Sequence, residues 1–255
     1  MFELNDVSFH LADRRLLQQI NLQIPQGQTV GLIGHNGSGK STLVKLLARQ
    51  LEPAGGRLRL DGRLLNEWPE RKFARHVAYL PQRLPAVENL TVRELVGFSR
   101  YPWHGPLGRF GADDRLHVER ALELTGVAAF AEWPAERLSD GERQRVWLAM
   151  LLAQNTRYLL LDEPSSAPDP AHQVEILDLL RDLGRHLGLG VVIVLHDINM
   201  AARYCDHLVA LHEGRLLASG PPSALMNPGT LEALYSIPMH VLQHPEAGQP
   251  VAVVH

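Results

Sequence analysis

The chain has 255 residues and a formal net charge of −3. That is enough for one substantial core, or one core with an insertion, and it offers no basic face for nucleic acid. A single cysteine, Cys205, excludes an internal disulfide and fits a reducing compartment. The start, Met1-Phe2-Glu3-Leu4-Asn5-Asp6, lacks both a basic and a long apolar region, and no apolar run reaches bilayer-spanning length. These features predict a soluble, cytoplasmic protein, free to dock on a membrane protein.

Alternation at residues 2–4, 7–9 and 20–24 predicts short strands ahead of the Pro25-Gln26-Gly27 turn. Phe9 stands where a β-layer could bring it beside a nucleotide base. Stacking on the base and packing in a strand core both remain open for it.

The apolar run Thr29-Val30-Gly31-Leu32-Ile33 predicts a buried strand, and residues 42–48 predict an amphipathic helix. Between them lies Gly34-His35-Asn36-Gly37-Ser38-Gly39-Lys40-Ser41-Thr42, with G-x-x-x-x-G-K-S spacing. Strand, glycine loop and helix make a phosphate cradle, because curled backbone N–H groups and a helix N-terminus all face one anion. Lys40 would reach the β- and γ-phosphates, and the Ser41 hydroxyl would bind Mg²⁺. The G-x-G-x-x-G dinucleotide spacing is not met.

Residues 55–62 predict turn, strand and turn, and Val77-Ala78-Tyr79-Leu80 predicts a buried strand ending at Pro81-Gln82. Gln82 leaves that strand where ligands gather in α/β folds. Composition shifts over residues 84–137, a proline-bearing segment predicted as a helical insertion. Thr91 and Glu94 form a capping box there, and Asp113 is a candidate second N-cap. Residues 101–110, Tyr-Pro-Trp-His-Gly-Pro-Leu-Gly-Arg-Phe, are predicted as an irregular, aromatic binding surface.

Leu138-Ser139-Asp140-Gly141-Glu142 opens an apolar helix running through Ala153, with Ser139 as its cap and Gly141 allowing close backbone approach to a ligand. Tyr158-Leu159-Leu160-Leu161 is a buried strand ending in Asp162 and Glu163. Asp162 can hold Mg²⁺ opposite Ser41, and Glu163 can polarise a water. Residues 165–169 turn into a helix over 170–186. Residues 191–195 form the last central strand and deliver His196, which would reach the γ-phosphate. The other histidines show no metal-ligand spacing. Residues 208–211 and 215–219 predict a hairpin, followed by two short helical pieces and an apolar end whose role is not legible.

Taken together, the glycine loop, Gln82, LSDGE, LLLDE, SAPD and His196 resemble, in order and spacing, the ATP-binding cassette of ABC transporters over nearly the whole chain. The resemblance implies an α/β fold: a P-loop NTPase (RecA-like) core with an N-terminal antiparallel β-subdomain and an inserted α-helical subdomain. It implies a single ABC ATPase domain over 1–255, with the core at 1–83 and 155–220, the helical part at about 84–154 and a C-terminal extension at 221–255. Residues 34–42 would be Walker A, binding ATP with Phe9 on the base. Gln82 would be the Q-loop, a catalytic residue and metal ligand beside Ser41 and Asp162. Glu163 would be the catalytic glutamate, His196 the switch histidine and residues 166–169 the D-loop. Residues 138–142 would be the signature, acting in trans in a head-to-tail homodimer.

Finer likeness, in Tyr101-Pro102-Trp103-His104-Gly105, His172-Gln173 and residues 196–206, is to iron(III)-siderophore importer ATPases, above all the ferric hydroxamate (ferrichrome) type. Haem and vitamin B12 importer ATPases share much of this pattern. That likeness implies ATP and Mg²⁺ as cofactors and a transmembrane permease as partner. It also implies a periplasmic siderophore-binding protein acting indirectly, no nucleic acid, and a peripheral place on the cytoplasmic face of the bacterial inner membrane. Two positions depart from the family: Asp140 for glycine, which sets a carboxylate beside a phosphate loop, and Pro168 for leucine in the D-loop.

Overall fold

Period-two alternation near the N-terminus builds the first layer. In the computed structural model, which describes residues 1–164, 170–245 and 248–254, β1 (Phe2–Leu11) pairs antiparallel with β2 (Arg14–Ile24). Phe2, Leu4, Val7, Leu17, Ile20 and Ile24 turn inward. β3 (Thr29–Ile33) has every residue buried, and the glycine loop leads from it into α1 (Lys40–Leu47). β4 (Gly55–Leu60) and β5 (Arg63–Leu64) then complete a four-stranded sheet in the order β2-β1-β4-β5.

α2 (Glu70–Ala74) and β6 (Val77–Leu80) precede four helices: α3 (Val92–Phe98), α4 (Tyr101–His104), α5 (Ala112–Leu124) and α6 (Asp140–Ala153). β7 (Tyr158–Leu161), α7 (Pro170–Leu187), β8 (Gly190–Val194), α8 (Ile198–Tyr204), β9 (His207–His212) and β10 (Arg215–Gly220) return the chain to the central sheet. Its order is β10-β9-β3-β8-β7-β6, with β9, β3, β8, β7 and β6 parallel and β10 antiparallel to β9. β3, β7 and β8 are buried along their whole length, which is why they read as unbroken apolar runs. One face packs with α1 and the β-layer, the other with α7 and α8.

The helical layer has its own core of Val92, Leu95, Val96, Val118, Leu122 and Val146. The Thr91–Glu94 capping box forms as expected. Asp113 is not the cap of α5: the cap is Gly111, two residues earlier, whose N–H donates to Asp114 Oδ2 at 3.0 Å. The carboxylate of the third helical residue, Asp114, reaches back to that N–H, so Asp113 falls inside the first turn. Residues 101–110 are not wholly irregular either. α4 is fixed by Arg75, which donates to the carbonyls of Pro102 and Trp103 at 2.9 and 3.1 Å, and by Trp103 Nε1 donating to Gln154 O at 2.7 Å.

The tail adds α9 (Pro222–Leu225), α10 (Pro228–Tyr235) and a hairpin of β11 (Met239–Gln243) with β12 (Pro250–Val254). The apolar end is therefore a strand. Its anchor is Asn199 on α8, which donates to Ala252 O at 3.0 Å and accepts from Ala252 N–H at 2.7 Å.

Candidate functional site

Four of the parallel strands end at one side of the sheet, and the predicted chemistry follows closely after them: Gly34 after β3, Gln82 after β6, Asp162 after β7, His196 after β8. This is where an α/β sheet collects ligands. Gly34 has φ +144°, and a Cβ there would lie 2.2 Å from the Leu211 carbonyl oxygen, so only glycine lets the loop leave β3. Gly39, at φ 103°, begins α1 with no side-chain cap, which leaves the first-turn N–H groups free for an anion.

Lys40 is buried, and its Nζ donates to the carbonyls of Gly34 at 2.8 Å and His35 at 3.0 Å. Burial pushes its pKa down, opposed by the negative charges of Glu163 and Asp162. The cavity in front of it encloses about 150 Å³ and is lined by Leu16, Asn36, Gly37, Gly39, Lys40, Ser41, Thr42 and Glu163. Ser38 is fully buried below, its Oγ without a hydrogen-bond partner.

The Ser41 hydroxyl donates to Asp162 Oδ1 at 2.8 Å. Two hard oxygen donors in contact beside a phosphate loop fit a divalent cation such as Mg²⁺. Asp162 is almost wholly buried. Burial raises its carboxyl pKa and nearby Glu163 adds to the rise, against the Ser41 hydrogen bond and the charges of Lys45 and Lys40.

Glu163 occupies the left-handed region at φ 55°, an unusual backbone for a residue with a Cβ. Its carboxylate is shared: His196 Nε2 lies 2.6 Å from Oε1, and Gln82 Nε2 donates to Oε2. Three strand ends thus converge on one carboxylate. Gln82 meets Glu163 rather than the Ser41–Asp162 pair.

The loop at 138–142 is elsewhere. None of its residues lines the Lys40 cavity; Leu138 and Asp140 line a groove of about 800 Å³ with Gln82, Arg83, Leu84 and Trp147. Ser139 caps α6, with its N–H and hydroxyl donating to Glu142 Oε2 at 2.8 and 2.6 Å. Those bonds hold the Glu142 carboxyl below its ordinary pKa. Asp140 points to solvent, 87% exposed, and pairs with Arg143. Its charge is thereby compensated within one helical turn. The phosphate loop and the 138–142 loop of one chain do not form one pocket.

Phe9 is half-buried against the core between sheet and β-layer, and does not line the Lys40 cavity. Leu16 does so instead. The strand prediction beginning at residue 20 left it out, and nothing in its local sequence marks it. Residues 166–169, Pro168 included, lie outside the described residues.

Residues 17–166 match the family model described as ABC transporter. The chain is 40% identical to the iron(3+)-hydroxamate import ATP-binding protein FhuC of Bacillus subtilis (strain 168), over 95% of this chain and 90% of that protein. It is 39% identical to the achromobactin transport ATP-binding protein CbrD of Dickeya dadantii (strain 3937), covering 97% and 92%. It is also 39% identical to the hemin import ATP-binding protein HmuV of Bordetella avium, covering 95% of each. Among solved structures, an inward-facing putative metal-chelate type ABC transporter shares the fold, with TM-score 0.86 at 24% identity over 100% of this chain and 96% of that one. A dimeric bacterial ABC transporter cassette matches with TM-score 0.76 at 27% identity, over 87% of this chain and 99% of that one.

Two variants test this geometry. A carboxyl whose pKa is raised by folding binds its proton more readily in the folded state, so stability falls as pH rises from the ordinary value of 3.8 through the raised one. At neutral pH the buried Asp162 charge therefore destabilises the fold. Asp162→Asn is expected to raise Tm while lowering ATP turnover at least ~100-fold, since it removes the carboxylate that, with Ser41, fits a divalent cation. Asp140→Gly removes only an exposed ion pair, and ATP turnover is expected to stay within ~2-fold of the parent in a phosphate-release assay.

Proposed function

This chain belongs to the ABC transporter ATPase family, and on that premise we propose that it energises import of an iron(III)-siderophore, of hydroxamate type, through a membrane permease. The observation that carries hydrolysis is the carboxylate of Glu163, held between Gln82 and His196 beside the Lys40 cavity. The cargo reading is supported by 40% identity to the hydroxamate importer subunit over 95% of this chain. Haem is the second reading, supported by the comparable identity to the hemin importer subunit.

In this reading Lys40 and the N–H groups opening α1 hold the β- and γ-phosphates of ATP. Ser41 and Asp162 hold Mg²⁺, which neutralises charge on the phosphates. Glu163 orients and accepts a proton from the attacking water, and His196 and Gln82 set the carboxylate's direction. The half-site is completed by residues 138–142 of a second copy, head to tail. The separation of those residues from the Lys40 cavity of their own chain supports that arrangement, as does the likeness to a dimeric cassette.

Closure on two ATP molecules changes the angle between the helical layer, about 84–154, and the core at 1–83 and 155–220; hydrolysis resets it. The groove holding Leu84, Leu95, Val146 and Trp147 opens between these two parts and fits a cytoplasmic helix of the permease. Phe98, Tyr101 and Phe110, exposed on the same layer, extend that docking face. No described helix is long and apolar enough to cross a membrane, which agrees with a peripheral subunit on the cytoplasmic face of the inner membrane. A periplasmic binding protein would act only through the permease.

A strain lacking the chain is expected to lose uptake of labelled ferrichrome and to regain it with the parent gene. Glu163→Gln should not restore uptake, although its product still binds ATP. Loss of haem uptake alone would favour the second reading, and unchanged uptake of both would contradict the transport role.

A further inference from the structure

We infer that His172 is a positioning residue for the signature loop, tying the start of α6 to the start of α7. The inference rests on the proposed trans action of residues 138–142 and adds the element that holds them in place. His172 lies in the first turn of α7, with its side chain only 14% exposed. Its Nε2 is 2.8 Å from Gln144 Oε1, and Gln144 is itself buried on α6. A buried amide oxygen needs a donor, and the imidazole N–H supplies it.

The ring also occupies the space in front of Gly141. A Cβ at 141 would stand 2.9 Å from His172 Cε1 and 3.3 Å from Nδ1. Gly141 therefore lets a side chain of its own molecule approach, beyond any role toward a ligand. One turn further along α7, Glu175 Oε2 accepts from Arg145 Nη2 at 2.7 Å, and the same oxygen lies 4.0 Å from His172 Nδ1. Residues 172 and 175 of one helix thus grip 141, 144 and 145 of the other.

α6 contributes Val146, Ala149 and Ala153 to the core of the helical layer and Leu148 and Leu151 to that of the central sheet, where Ile176, Leu177 and Leu180 of α7 also pack. The contacts from His172 and Glu175 pin the opening turns of α6, ahead of Leu148, to the start of α7. Ser139 sits just before the gripped turn and caps it. The path from β8 through α7, His172 and Gln144 to Ser139 therefore refers the loop's position to the sheet carrying Glu163 and His196. A cap aimed at a partner's γ-phosphate tolerates little misplacement.

The test compares the full-length parent with His172→Ala and His172→Gln, measuring ATP turnover, KM for ATP, binding of a fluorescent ATP analogue, and Tm. Glutamine carries an amide Nε2 to about the place of the imidazole Nε2. His172→Ala is expected to lower kcat about tenfold, the worth of one buried hydrogen bond, with KM and analogue binding unchanged. His172→Gln should recover to within ~2-fold of the parent. Parent-like kcat in the alanine variant would overturn the inference. So would equal loss in both variants with lowered Tm, which would make the contact packing alone. The parent's own turnover reports on the proposed function, and a parent without turnover overturns both.

Discussion

Lys40 is buried with its ammonium turned back on the carbonyls of its own loop, and the rest of the site is arranged around that charge. Burial works against the ammonium, while Glu163 and Asp162 at the end of β7 sustain it. Gly34 must be glycine for the loop to turn past Leu211, and the parallel sheet must align its strand ends for both acids to lie within reach. Phosphate completes this arrangement by supplying an anion where the helix N-terminus and the ammonium converge.

The same constraint underlies the proposed half-site. The ends of β3, β6, β7 and β8 bring Lys40, the Ser41–Asp162 pair and the Glu163 carboxylate together. In the proposed head-to-tail arrangement, donors for the other side of the phosphate come from the start of α6, which does not line the Lys40 cavity of its own chain. The Ser139–Glu142 capping box keeps that loop ordered while it waits, and Asp140 is neutralised locally by Arg143. The departure from family glycine therefore places its charge in solvent, away from the donors that cap the helix.

The sequence declared the central sheet clearly because β3, β7 and β8 are buried on both faces and allow only apolar residues. The site residues were legible for a related reason: Gly34, Asp162, Glu163 and His196 follow closely on those runs, and Gln82 on the apolar β6. What escaped depends on contacts between distant segments. The helical start at Gly111 follows from Asp114 folding back, and α4 is held by Arg75, 27 and 28 residues before its partners Pro102 and Trp103. The terminal hairpin relies on Asn199, whose amide imitates a strand partner for Ala252. Leu16 acts through position alone, with no local pattern to mark it, and His172-Gln173 showed in the sequence only as a family likeness, without the contact it makes.

The central claim is that phosphate loop and signature loop meet only between copies. Mixing two inactive chains tests it directly: Lys40→Ala, which keeps its signature loop, and Ser139→Phe, which keeps its phosphate loop. Neither alone should turn over ATP. The mixture is expected to regain turnover, because a mixed dimer restores one complete site. A mixture as inactive as its components, with mixed dimers demonstrably formed, would contradict the account.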